Sequence, residues 1–343
     1  MTAAVRAAFQ DQARACRDLG SALTARICDT LADKLDPAQG PVAARVLSWP
    51  GAVGPSGASV PLRLCGAPHG LVLEGVDPAL ARAYSAGEAG APLLLAALDR
   101  HAARVMAWLD HAPQTNEVAR AAVLIAAARH LAKQAPLPLV ALELGASAGL
   151  NLNFAHYTLD PGATADTPGR VVLTPDWRGV LPRAAIHVEA AQGVDLNPLD
   201  PQRDGIRLLA YCWPDQTARL LRLRAALALA QIHPPRVQRG DAITFLEQAL
   251  SRPRPGRLTL IYHTIAWQYF PADLQQRGEA ILDRAGARST PDAPLARLSM
   301  EADGGVGAAL SLQLWDGSAR RWSLGRADFH GRWVSWNPQM SQA

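Results

Sequence analysis

The chain has 343 residues, 49% hydrophobic and 19% charged, with 34 Lys and Arg against 30 Asp and Glu and a formal net charge of +4. That balance is the balance of a folded globular protein and excludes wholesale disorder, collagen and coiled coil. At roughly 150 residues per domain the length suggests about two domains.

No apolar run approaches the roughly 18 residues of a membrane span. The longest, Ala121 to Ala128, is bracketed by Arg120 and Arg129, and the charges from Arg6 to Asp18 leave no apolar core for a signal peptide. A cytoplasmic protein without a membrane partner is therefore expected. All but two of the basic residues are arginine, and Arg219, Arg222, Arg224, Arg252, Arg254, Arg257, Arg320 and Arg321 are scattered among acids. A nucleic-acid footprint needs a clustered basic face, so none is expected. Cys16, Cys28, Cys65 and Cys212 lack ligand spacing, and no H-E-x-x-H or C-x-x-C is present. Reduced, mostly buried thiols and no metal site are expected.

In chain order, a helix is expected over Ala3 to Asp18, and another carries the stripe Leu19, Leu23, Ile27, Leu31 and Leu35, with Ser21 as its N-cap. Pro50 to Pro61 reads as a loop, and Val60–Leu64 with Gly70–Leu73 as a hairpin or loop segments. Pro92 opens one helix through Leu109, and a second runs from about Glu117 to Gln134. After Pro138 strands and helices alternate. The strands are Leu139–Leu144, Gln192–Asp195, Arg236–Arg239, Leu258–His263, Ala296–Glu301, Ala309–Trp315 and Arg320–Leu324. The helices are Leu150–Tyr157, Arg207–Ile232 with a break near Trp213-Pro214, Ala242–Ser251 and Pro271–Ala285. Arg170–Leu173 with Ile186–Glu189 reads as an added β-hairpin. The alternation implies an α/β fold with a Rossmann-like, mostly parallel sheet and an antiparallel C-terminal hairpin edge. An N-terminal all-helical cap, 1–136, is expected over an α/β domain, 137–343.

Glu143-Leu-Gly145-Ala146-Ser147-Ala-Gly149 joins a buried strand to a helix start through small residues, a turn that lets backbone approach a ligand. Two chemistries compete for it. Gly145-Ala-Ser147-Ala-Gly149 fits the G-x-S-x-G nucleophile elbow of serine hydrolases, with Asp195 or Asp241 and His263 or His330 following in order and His69-Gly70 as an oxyanion loop. It also fits the first motif of class I S-adenosylmethionine-dependent methyltransferases. In that reading Glu143, Gly145, Ala146, Ser147 and Gly149 form the cofactor turn. Asp195 with Leu196 ends the second strand, where a carboxylate accepts from both ribose hydroxyls, and Asp241 with Ala242 ends the third, at the adenine edge. The mostly helical stretch before Leu139 makes Leu139–Leu144 the first strand, which favours the second chemistry. Asp195 lies 50 residues beyond Gly145, against about 20 for a usual ribose acid. An insertion must intervene, and Asp160, Asp176 and Glu189 remain alternatives. Asp195 also reads as a turn residue and Asp241 as an N-cap.

Gln114-Thr-Asn-Glu117, Glu143 to Asn151, Asp195-Leu-Asn-Pro-Leu-Asp200, Trp213-Pro-Asp-Gln216, Trp267-Gln-Tyr-Phe270, Met300-Glu301 and His330-Gly-Arg-Trp333 resemble, in order, a bacterial family known as domain of unknown function 2332. The resemblance implies a methyltransferase-like fold and carries no established reaction. With S-adenosylmethionine, or S-adenosylhomocysteine as bound product, His263 and Tyr262 after the fourth strand are the catalytic candidates; His263 also reads as a hydrogen-bonded histidine that ends a buried strand. Gln114, Asn116, Glu117, Trp267 and His330 are candidates for holding a small-molecule substrate; Gln114, Asn116 and Glu117 also read as helix-capping residues, and Trp267 also reads as a packing residue. The alternatives are a non-catalytic binding protein on the same fold, and the serine hydrolase.

Overall fold

The computed structural model describes residues 2–163 and 169–341. The chain divides into two compact units. One takes residues up to Thr115 together with Arg203–Arg224; the other takes Asn116–Gln202 and the chain from Ala225 onward. The partition thus differs from a single cut at 136. Residues 116–136, helical as they are, belong to the sheet-bearing unit, and a segment from the middle of the sequence joins the helices.

The helical unit holds α1 (Thr2–Asp18), α2 (Ala22–Lys34), α3 (Pro41–Leu47), α4 (Val60–Leu73), α5 (Pro78–Ser85), α6 (Ala91–Arg100) and α7 (Ala102–Leu109). Val5, Phe9, Leu23, Ile27 and Leu31 bury one face each of α1 and α2 in a common core with Leu64, Leu71, Leu94 and Leu109. Ser21 caps α2 by accepting from the Thr24 amide. Where a hairpin or loop segments were expected, α4 runs unbroken from Val60 to Leu73 with Pro68 inside it. Gly66 and Gly70 look like breakers in the sequence, but a Cβ at Gly66 would lie 2.6 Å from the Tyr211 ring and one at Gly70 2.8 Å from that of Trp108. Close aromatic packing explains both glycines. The helix expected over 92–109 is two, capped at His101.

In the other unit, α8 (Ala121–Gln134) precedes the sheet. Eight consecutive residues from Ala121 to Ala128 are buried, the behaviour of a helix apolar on every side. The strands are β1 (Leu139–Leu144), β2 (Thr158–Leu159), β3 (Val172–Leu173), β4 (Asp176–Arg178), β5 (Val188–Asp195), β6 (Val237–Arg239), β7 (Leu258–Thr264), β8 (Leu295–Ala302), β9 (Ala308–Trp315), β10 (Ala319–Ala327) and β11 (Trp333–Ser341). After β5 the chain passes through α9 (Gly205–Ala210) and the first half of α10 (Thr217–Ile232), both in the helical unit, and re-enters this unit at Ala225 within α10; α11 (Ala242–Ala249) follows β6, and α12 (Ala272–Gly286) follows β7. Arg207–Ile232 is accordingly two helices, broken at Trp213-Pro214.

The nine-stranded sheet has the order β4-β11-β10-β9-β8-β7-β1-β5-β6. From β6 to β8 every pairing is parallel; β8–β9, β9–β10 and β10–β11 are antiparallel. Counting only the parallel run from β6 to β8, the order is third-second-first-fourth-fifth, a Rossmann-like arrangement with its switch point beside β1. Every residue of β1 and β7 is buried, as expected for central strands covered on both faces. The antiparallel edge is larger than the expected hairpin. β11 completes a meander and carries Pro338, whose missing N–H is tolerated beyond the Trp333–Ser335 stretch that pairs with β4. The expected 170–189 hairpin does not form. β3 pairs with β2, β4 with β11, and β5 with β1.

Candidate functional site at the carboxyl ends of the parallel strands

In open α/β sheets ligands sit outside the carboxyl ends of the strands at the switch point. Here that place is formed by the turn after β1, the end of β5, the end of β6 and the loop after β7. Gly145 and Gly149 have φ of 72° and 71°, and Ser147 between them has φ 53°. Left-handed backbone at a non-glycine residue is strained, and such strain collects at ligand-binding corners. Ser147 Oγ is buried and has no hydrogen-bond partner, and the same holds for Asn151 Oδ1. No histidine is thus paired with Ser147, and the arrangement of an activated serine nucleophile is not formed.

The turn's amides are largely engaged within the protein. Those of Gly145 and Ala146 donate to the Val194 carbonyl, each at 3.0 Å. The Ser147 amide donates to Asp195 Oδ2 at 2.8 Å, and Leu150 N to Asn116 Oδ1 at 2.8 Å. The glycines serve close packing. A Cβ on Gly145 would lie 2.7 Å from Ala266 Cβ, one on Gly149 2.5 Å from Val237 Cγ2, and one on Gly193 2.5 Å from Ala146 Cβ. The helix expected over Leu150–Tyr157 forms as a 3-10 helix over Leu150–His156.

Asp195 is the acid that reaches this corner. Its Oδ1 accepts from the Asn197 amide at 2.8 Å while Oδ2 holds the turn, so it is turn residue and clasp at once. The other candidates lie elsewhere. Glu189 pairs with Arg257 near the opposite end of β5, Asp176 pairs with Arg178 at the far edge of the sheet, and Asp160 receives the Gly162 amide. Leu196 is 74% exposed directly after Asp195. Asp241 Oδ1 accepts from the Thr244 amide at 2.8 Å, capping α11, and Ala242 begins that helix.

Alternation along β7 sends Tyr262 and His263 to opposite faces. Tyr262 is buried, meets Phe154 edge-to-face at 6.3 Å and donates to Glu143 Oε2 at 3.2 Å. Burial drives the Glu143 carboxyl up to about 8, against the opposing pull of the Tyr262 hydrogen bond and the Arg120 charge. Burial and the adjoining Glu143 hold the Tyr262 phenol well above its usual range.

His263 sits on the other face, inside a closed network. Its Nδ1 lies 2.7 Å from Glu301 Oε1, and its Nε2 accepts from Arg297 Nε at 3.1 Å. This pairing puts the proton on Nδ1, donated to the carboxylate. Burial, then the Arg297 charge, lowers the His263 pKa despite the Glu301 bond, so the ring is neutral. Trp267 stacks on it at 5.0 Å, and the Arg297 guanidinium lies 4.7 Å from the Trp267 ring centre. Arg297 also grips both oxygens of Glu279 at 2.6 Å. Glu301 further accepts from the amides of Ala266 and Trp267, both at 3.1 Å, and so fixes the loop after β7. Burial works against its ionisation, but the His263 and amide bonds outweigh it and hold the carboxyl below the ordinary value.

Of the expected substrate residues, Asn116 and Glu117 brace the turn: Glu117 O accepts from Asn151 Nδ2 at 3.2 Å, and its side chain caps the Val118–Arg120 turn. Trp267 belongs to the His263 network. Gln114 is a half-buried residue of the helical unit, and the His330 amide donates to Asp328 Oδ2 at 2.9 Å. Three residues escaped sequence reasoning. Glu301 and Arg297 are 38 and 34 residues from His263. Ile265, a β-branched residue at φ 54°, carries no sequence signal for its strain. Met300-Glu301 was available only as a stretch of family resemblance.

Among the described residues no group of three or more His, Cys, Asp or Glu is placed to hold a metal ion, and no helix is long and apolar enough to cross a membrane. No curated protein matches the chain. Residues 6–336 match the family described as "Uncharacterized protein conserved in bacteria (DUF2332)", and the chain belongs to that family.

Proposed function

We propose that the sheet-bearing unit binds S-adenosylmethionine and transfers its methyl group to a small molecule. The observation that carries this reading is the Asp195 carboxylate, set at the end of the second parallel strand and held against the glycine turn at the switch point. Each of its oxygens takes one backbone amide. Each keeps accepting capacity for one of two neighbouring sugar hydroxyls. The exposed Leu196 beside it suits one face of an adenine, and Asp241 with Ala242 suits its edge. These groups fit the nucleoside half of the cofactor. The turn fits the remaining half less closely, because Ala266, Val237 and Pro235 occupy the room beside Gly145 and Gly149.

When bound, the cofactor supplies an electrophilic methyl on a sulfonium. The chain's own part is positioning: Asp195 orients the sugar, and Leu196 shields the base from water. His263 does not serve as general base, since both its nitrogens are engaged, and Tyr262 stays a protonated phenol. The fitting acceptor is therefore nucleophilic without help, such as an amine or an easily ionised thiol. The same engagement of His263 favours, as second reading, a binding protein on this fold without turnover.

Calorimetry with S-adenosylmethionine and S-adenosylhomocysteine tests the proposal. Binding that disappears in Asp195→Ala supports it, and turnover with amine or thiol acceptors separates the two readings. Failure of both ligands to bind at millimolar concentration would refute both.

A further inference from the structure

Three of the cysteines meet inside the helical unit. Cys16 lies on α1, Cys28 on α2 and Cys65 on α4, and all are buried. Cys28 Sγ and Cys65 Sγ are 3.5 Å apart across 37 residues of sequence. A small cleft with about 10 Å3 of free space, room for one molecule about the size of water, reaches this place. Its walls include Thr24 and Ile27 of α2, Cys65 and Gly66 of α4, Tyr84, and Tyr211. Cys65 is thus the member of the group that faces the cleft. The Tyr84 hydroxyl is buried there and has no hydrogen-bond partner. A small polar molecule in the cleft would supply one.

We propose that Cys65 and Cys28 form an oxidant-responsive dithiol, with Cys65 attacked through the cleft by a small hydroperoxide and Cys28 closing a disulfide. In the first step Cys65 Sγ attacks the peroxide oxygen. The O–O bond breaks, Cys65 becomes a sulfenic acid, and the peroxide is reduced to water or, for an organic peroxide, to an alcohol. In the second step Cys28 Sγ attacks Cys65 Sγ. The S–S bond forms, the S–O bond breaks, and hydroxide leaves with the Cys28 proton as water. Two thiols lose two electrons and one hydroperoxide gains them.

The sulfurs need to close from 3.5 Å to a bond of roughly 2.0 Å. The order of events follows from access and protonation. The contact with Cys16 lowers the Cys28 thiol pKa, but the contact with Cys65 and burial hold it well above its ordinary value; the hydrogen bond to Cys28 and burial raise that of Cys16. Cys16 and Cys28 stay protonated and do not line the cleft, whereas Cys65 does, so a peroxide reaches Cys65 first. The product ties α2 to α4, which form two walls of that cleft.

The test uses the full-length reduced protein. The folded protein is exposed to hydrogen peroxide, its remaining thiols are alkylated in denaturant, and it is digested without reductant for mass spectrometry. The expected result is a loss of two hydrogens from the intact mass, a Cys28–Cys65 crosslinked peptide and reversal by dithiothreitol. The crosslink should persist in Cys16→Ser and vanish in Cys65→Ser. Full alkylation of Cys28 and Cys65 after treatment, a dominant Cys16–Cys28 bond, or accumulation of Cys65 sulfinic acid beside an unmodified Cys28 would each overturn the proposal. The wild-type measurement decides even where a serine variant does not fold.

Discussion

Glu143→Gln should convert a pH-dependent liability into a pH-independent contact. The Glu143 carboxyl is fully enclosed, and burial moves its pKa from the ordinary 4.5 to about 8. The native state therefore holds this proton more tightly than the unfolded chain. Between pH 4.5 and 8 the unfolded chain releases it while the native state keeps it, so the group's contribution is complete below 4.5 and drains away as pH rises toward 8. At about 1.36 kcal/mol per pH unit the full span corresponds to up to about 5 kcal/mol. Glutamine retains an acceptor for the Tyr262 hydroxyl and has no proton to lose. The stability of wild type relative to Glu143→Gln should fall steadily from pH 5 to pH 8 and then level off. At a slope of about 3 kcal/mol per molar urea, that fall appears as a relative midpoint displacement of roughly 1.5 M. Urea unfolding of both proteins at pH 5, 6.5, 8 and 9 measures it directly. A difference between the two that stays constant over this range would refute the assignment of a raised pKa to this carboxyl.

Three further outcomes are expected. Gly149→Ala places a Cβ 2.5 Å from Val237 Cγ2 at φ 71°; left-handed strain of about 1–2 kcal/mol and overpacking of about 1–3 kcal/mol should together lower stability by about 2–5 kcal/mol in denaturant unfolding. Leu196→Glu alters a residue that is 74% exposed, so its unfolding free energy should change by less than about 0.5 kcal/mol while calorimetric affinity for S-adenosylhomocysteine drops at least tenfold; unchanged affinity would remove Leu196 from the binding face. Asp215→Ala removes a carboxylate that accepts from Ser21 Oγ and from the Leu23 amide at 2.8 Å. As a cap on the start of α2 it should contribute about 1 kcal/mol, and native-state hydrogen exchange in the first turn of α2 should quicken correspondingly.

The sheet was legible where a short-range pattern and a long-range role coincide. Leu139–Leu144 is uniformly apolar but for Glu143, and it becomes the central strand because a parallel sheet covers both of its faces. The small-residue turn was legible as a turn for the same reason. α4 was not, because Gly66, Pro68 and Gly70 look like breakers until the Tyr211 and Trp108 rings are seen lying against the glycines. Tertiary packing overrides propensity there. β11 was hidden by Asn337-Pro338, which is acceptable only because of where the strand pairs. At the site, Asp195 could be placed from strand order despite the insertion before it. A hydrogen-bonded histidine ending a buried strand is one reading of His263 in the sequence, but its partners, Glu301 and Arg297 on the neighbouring strand, are announced by no local spacing.

The Asp195 carboxylate joins two loops by their amides, that of Ser147 after β1 and that of Asn197 after β5. Those loops are consequently assembled during folding rather than by an incoming molecule. Ordering a flexible segment is one of the main entropic penalties of association. A guest at this corner would meet a rigid ledge and forfeit little chain freedom on arrival, so its residence would be governed by its own contacts and not by rearrangement of the host.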